Sequence, residues 1–143
     1  MTRHFQILTF ICLLNFGGAF SQTKDTISCQ NYINEFINYA KDKDYEKAYK
    51  PWLWSFQHCP EASFYIYYYG LKIVEDRYEK ENEDRKIIVS NLIDNVFLQR
   101  IKFFPKNLGR VYSDWASSLE NRGSPLDAIF EKYQMAFDID PSQ

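Results

Sequence analysis

The sequence has little of what small catalytic sites are made from. It holds two histidines, and one of them, His4, lies in the opening segment. A histidine metal site or a Ser-His-Asp relay in the remainder would depend on His58 alone. That ring follows the aromatic end of a helix, where it fits a partner for the C-terminal dipole better than a catalytic group. Five glycines in the whole chain leave no Gly-rich loop to cradle a phosphate. Lysine and arginine are interleaved with acids throughout, and without a basic stripe the chain has no footprint for nucleic acid. The acids Glu75, Asp76, Glu79, Glu81, Glu83 and Asp84 alternate with Arg77, Lys80 and Arg85, as on a solvated paired surface and unlike the separated carboxylates of glycosidic chemistry. These absences predict a protein that is not an enzyme and has no metal or cofactor site.

Long apolar runs are also missing. Phe5 to Phe16 is the most apolar stretch, and at about a dozen residues it falls short of the roughly twenty needed to span a bilayer as a helix. With Arg3 before it and Ala19-Phe20-Ser21 after it, it reads as a secretory leader, residues 1–21, cut before Gln22. A membrane anchor is the competing reading. Cys12 has bulky Phe10 and Ile11 before it, which argues against lipidation. The chain left after cleavage, 22–143, carries sixteen basic and nineteen acidic residues and has no further candidate span.

Aromatic residues are plentiful instead. They make up 18% of the chain, with eleven Tyr and twelve Phe, so a short chain can bury a large apolar area. From Ile27 onward apolar positions recur at three and four, never at a sustained two, and predict an all-α protein. Tyr32, Phe36, Tyr39 and Ala40 form one row, Asp42-Lys43-Asp44 breaks it with Asp44 as an N-cap, and Ala48, Trp52, Ser55 and Phe56 form the next before Cys59-Pro60. Pro51 lies inside that second helix and predicts a kink. A helix from about Ser63 to Tyr78 carries Phe64, Tyr67, Leu71, Val74 and Tyr78, and a charged link Glu79 to Asp84 follows. The next, from about Arg85 to Phe104, has a face wide enough for two neighbours, with Ile88, Leu92 and Val96 beside Val89, Ile93 and Phe97. A third pair runs from Leu108 to the stop at Asn121-Arg122-Gly123, and from a Ser124 cap and first-turn Pro125 to Asp140-Pro141. Short links make each pair an antiparallel hairpin.

The first hairpin brings Cys29 and Cys59 to the same end, where they are either bridged or two buried thiols. Export to an oxidising compartment favours the bridge.

Each hairpin ends in proline, at Pro60, Pro105 and Pro141, a recurrence typical of stacked helical arrays. Tyr32, Tyr39, Ala48, Trp52, Ser55 and Pro60 fall where the tetratricopeptide repeat places its large, small and closing residues, and Tyr39 through Ala48 resembles that family's turn. Asp127-Ala128, Tyr133, Ala136 and Asp138 to Pro141 resemble it again; the middle hairpin does so in part, through Gly70. The order Cys29, Trp52, Cys59-Pro60, Tyr68 to Gly70, Leu92 to Asp94 and Gln99 to Ile101 is similar to exported repeat proteins of Bacteroidetes-type bacteria. The resemblance implies a right-handed array of about three hairpins, either the N-terminal part of a longer one or an array whose end caps itself without a dedicated polar helix. It also implies a scaffold in the periplasm or on the outer surface of a Gram-negative cell, whose partner is another envelope protein or peptide segment. The first helix of each pair would line a concave groove, which puts Ile33, Ile37, Lys41, Tyr67, Tyr68, Leu71 and Glu75 on it; an aromatic stripe at this spacing is more often buried core. Tyr65, Tyr69 and Lys72 follow on another face. The cluster Phe64 to Tyr69 supports a different use, stacking on a glycan or other small ligand.

Overall fold

Rows of aromatic and aliphatic side chains at helical spacing need a second surface to lie against, and short polar links turn the chain back to supply it. In the computed structural model, which describes residues 19–142, six helices follow in order. They are α1 (Ala19–Lys41), α2 (Tyr45–His58), α3 (Tyr65–Lys80), α4 (Glu83–Phe103), α5 (Leu108–Asn121) and α6 (Leu126–Ile139). There is no strand among the described residues, and none of their helices is long and apolar enough to cross a membrane. The leader expected at 1–21 lies outside the described residues except for its last three. Each helix packs on the next, and α1 also lies against α3.

Local chemistry sets the helix ends. Asp44 accepts the Lys47 N–H at 3.3 Å and caps α2 as expected. Gly123 takes the left-handed conformation at φ +67 and ends the α5 turn. The α3–α4 link is shorter than the charge pattern predicts: α3 continues through Lys80 and Asn82 caps α4, accepting the Arg85 N–H at 3.1 Å. The charges stay on the helices because they pair along them, Asp76 with Lys80 at 2.7 Å and Arg77 with Glu81 at 3.2 Å. At α6 Pro125 occupies the N-cap position expected of Ser124, with no side-chain cap. Helix α2 runs through Pro51, which is buried within it.

Cys29 and Cys59 are disulfide-bonded, their Cα atoms 5.9 Å apart, so α1, which begins at Ala19 ahead of Cys29, is tied covalently to the end of α2. Above the bridge, Trp52 is fully buried and its indole N–H donates to the Ile66 carbonyl at 2.7 Å. The same ring lies so close to Gly70 that a Cβ there would overlap it. Only glycine lets α3 approach α2 this closely. Phe36, Phe56, Tyr67, Ile73 and Val74 complete this part of the core. The α4 face reaches both α3 and α5 as expected, with Phe97 stacked on Trp115 at 5.4 Å. Val89, Ile93 and Val96 are buried, but Ile88, expected on this face, is 69% exposed. It lies a residue away from the buried stripe, on the turn that faces water.

Helices α2 and α6 coincide residue for residue at one offset, position 45 falling on 126 and 58 on 139. Trp52 then corresponds to Tyr133, Phe56 to Phe137 and Pro60 to Pro141. In α2 these positions are covered by α3. In α6 they are open: Phe137 is 55% exposed, and Leu126 and Phe130 are barer still.

Three variants test this packing by their stability. Gly70→Ala should destabilise by about 2 kcal/mol from overpacking against Trp52, although alanine is the better helix former by about 1 kcal/mol; Leu126→Gln should change urea unfolding by less than about 0.5 kcal/mol. A neutral Gly70→Ala would show that Trp52 does not set the spacing. The Cys29→Ser, Cys59→Ser double variant should lose about 3 to 4 kcal/mol, the loop-closure value for a bridge of this span, measured by the same denaturation.

Candidate functional site

Helix α3 packs against α1 on one flank and is joined by side chains to α5 on another. Two polar links hold the C-terminal halves of α3 and α5 together. Ser118 Oγ donates to Glu75 Oε1 at 3.0 Å, and the Tyr78 hydroxyl donates to the Arg122 carbonyl at 3.4 Å. Behind them Arg122, whose side chain is 4% exposed, pairs with Asp94 of α4 at 2.7 Å and donates to the Ser90 and Ser118 carbonyls. Asp94 also accepts the Trp115 indole N–H at 2.9 Å. The α3 and α5 backbones otherwise stay apart, and towards their N-terminal ends a hollow of about 400 Å³ opens between them.

The hollow has an apolar wall of Leu71, Phe97 and Val111, a floor that includes the buried face of Tyr67, and a rim of Phe64 and Tyr68. Its charges come from three helices: Lys72 and Glu75 from α3, Arg100 from α4, Arg110 and Asp114 from α5. Arg110 and Asp114 neutralise each other at 2.8 Å. Glu75 is held by Ser118, and burial pushes its carboxyl above the ordinary range against the opposing pull of Ser118 and Arg122. Arg100 spans the end of the hollow, its Nη2 donating to the Lys106 carbonyl at 3.0 Å and its guanidinium 4.9 Å from the Phe64 ring.

The groove residues expected from sequence divide three ways. Tyr68, Leu71 and Glu75 come together in the α3–α5 hollow. Ile37 and Lys41 line a second hollow of about 410 Å³ on the other flank of α3, with Tyr65 and Tyr69. Ile33 and Tyr67 are core, 4% and 1% exposed. Tyr67 borders the first hollow from beneath while its hydroxyl donates to the Pro60 carbonyl at 2.8 Å, and burial pushes its phenol upward. The aromatic cluster is likewise split: Phe64, Tyr65 and Tyr68 are open, whereas Tyr67 is not. His58 stacks on Trp54 at 4.5 Å and bonds the Trp54 carbonyl at 2.8 Å through Nδ1, in the last turn of α2 as expected. Arg100, Arg110 and Asp114 were not singled out by sequence, where they resemble any other charged helix positions.

No protein-family model, curated protein or solved structure matches this chain. The role of the face rests on its geometry and chemistry.

Glu75 has a measurable signature. A carboxyl raised in the folded state favours the proton there, so its ionisation weakens the fold as pH rises from the unfolded value of 4.5 through the raised one. Relative to Glu75→Gln, the native protein should lose stability as pH is raised above 4.5 in paired urea melts; parallel pH profiles would contradict the burial of this carboxylate.

Proposed function

We propose that this chain is an exported, tetratricopeptide-like scaffold that binds a segment of another envelope protein on the face made by α1, α3 and α5. The observation that carries the reading is the pair of hollows on the flanks of α3, with Phe64, Tyr65 and Tyr68 open between and beside them. Apolar recesses rimmed by half-exposed aromatics suit the side chains of an extended or helical segment. The coincidence of α2 with α6, and the ordered packing of each helix on the next, support a repeat arrangement. The disulfide supports an oxidising compartment.

A second reading, stacking on a glycan or another small ligand, draws on the same open rings. It is weakened by their mutual packing, since Tyr68 meets Tyr69 edge to face at 5.0 Å and Tyr65 at 6.4 Å, which leaves no broad flat platform.

Photocrosslinking in the native envelope separates the faces. With a benzoylphenylalanine at position 68, a discrete protein adduct is expected that diminishes when Leu71→Asp is added. The same residue at position 88, an exposed site on α4 outside both hollows, should give none. Equal adducts from both positions, or none from position 68, would refute the proposal.

A further inference from the structure

We infer that the bare strip of α6 is a self-association face, on which a second copy of this chain lays its own α6 antiparallel. This goes beyond the proposed partner face of α3 and does not rest on it.

The strip consists of Leu126, Phe130, Tyr133 and Phe137, spaced by four, three and four residues. That spacing sets them in one line along the helix, as in the seam of paired helices and unlike single apolar groups scattered over a surface. They are 83%, 68%, 38% and 55% exposed. The neighbouring line, with Ile129 and Ala136, is buried, and α5 is the one described helix that packs on α6. Tyr133 is held in place from that side, its hydroxyl meeting Ser117 Oγ at 3.2 Å and donating to Glu120 Oε2 at 3.3 Å. The same four positions on α2 are Tyr45, Tyr49, Trp52 and Phe56. There they are packed into the core, with the Trp52 ring against Gly70 of α3 and Arg77 of α3 over the Tyr49 ring at 4.3 Å. The strip is thus the surface on which, in the first hairpin, another helix lies.

Its symmetry selects a second copy as the occupant. The spacing is the same read from either end, so an isologous pair of antiparallel α6 helices is complementary along the whole strip. Leu126 falls level with Phe137 of the second copy and Phe130 with Tyr133 of the second copy, the twofold axis passing between positions 131 and 132. Charge favours the same direction. A parallel pair would set Asp127, Glu131 and Asp138 level with their own copies, like charge beside like. The antiparallel pair sets Asp127 level with Ala136 of the second copy and Glu131 level with Lys132 of the second copy, and it opposes the two helix dipoles.

The area decides how tight the pair is. At their exposures the four side chains bare about 450 Å² per copy, and pairing removes about 900 Å² from water, below the standard interface and in the range of weak, reversible ones. The dissociation constant should then be on the order of 10 to 100 μM.

The test is sedimentation equilibrium of the oxidised protein without residues 1–21, from about 5 to 500 μM, a span that brackets this constant. The average mass should rise from monomer towards dimer. Phe130→Asp, at an exposed position that leaves the urea midpoint of the monomer unchanged, should weaken association at least about tenfold. Ile88→Asp, at an exposed apolar position on α4, should leave it unaltered. Crosslinking reads the direction of the helices. With Cys29 and Cys59 bridged and Cys12 removed, a cysteine introduced on α6 is the one free thiol. An equimolar mixture of Leu126→Cys and Phe137→Cys should oxidise mainly to the mixed disulfide, whereas a parallel pair would join like positions. A protein monomeric at every concentration would leave the strip to a different helix and overturn the assignment. So would association undiminished in Phe130→Asp, association lost equally in Ile88→Asp, or like-position disulfides that outnumber the mixed one. The adduct at position 68 is decided separately, so either reading can fail without the other.

Discussion

The arrangement depends first on the contact between the Trp52 ring and Gly70. A large ring with one polar atom can be buried only where that atom has a partner, and the Ile66 carbonyl supplies it at 2.7 Å. The partner and the missing side chain lie one helical turn apart on α3, so a single interaction fixes the distance, rotation and direction of the second hairpin against the first. The placement of α1 beside α3, and the hollow holding Ile37 and Lys41, follow from it. The disulfide works on the same hairpin from its open end, limiting how far α1 and α2 can separate when unfolded.

The second junction is built differently. Where α2 meets α3 through a buried ring and a glycine, α3, α4 and α5 meet through Glu75, Ser118, Arg122 and Asp94 and through the adjoining Phe97–Trp115 stack, whose indole N–H donates to the same Asp94. Buried ionic groups gain little net stability over apolar packing, but they constrain the geometry in which all are satisfied. Here the polar links draw α3 and α5 together at one end only. Towards the opposite ends no such link joins them, and the hollow lies there.

The six helices were legible in the sequence because each apolar row carries enough aromatic residues for its period to stand out, and because Asp44, Cys59-Pro60 and Gly123 mark ends by chemistry that does not depend on packing. The disulfide was legible because an antiparallel hairpin brings Cys29 level with Cys59, although α1 begins at Ala19, ahead of the start expected near Ile27. The link after α3 was misread because charge density resembles a loop, and only the pairing of Asp76 with Lys80 and Arg77 with Glu81 distinguishes it from helix. The candidate site was legible in part. The repeat resemblance puts Tyr68, Leu71 and Glu75 on one groove but cannot tell the outer side of a row from its inner side, so Ile33 and Tyr67 were grouped with them. Arg100 and Arg122 are both arginines near helix ends, and nothing local separates the one facing a hollow from the one locked to Asp94. That difference arises only when three helices converge.

Helix α6 carries in the open the positions that α2 hides, a strip from Leu126 to Phe137 along one side of the last hairpin. Water held against hydrocarbon is tolerated best in the cold, since the drive to expel it grows with warming near room temperature. The stickiness of that flank is therefore a function of the thermometer as well as of the shape, and copies or neighbours that ignore it near freezing meet a more adhesive surface at growth temperature.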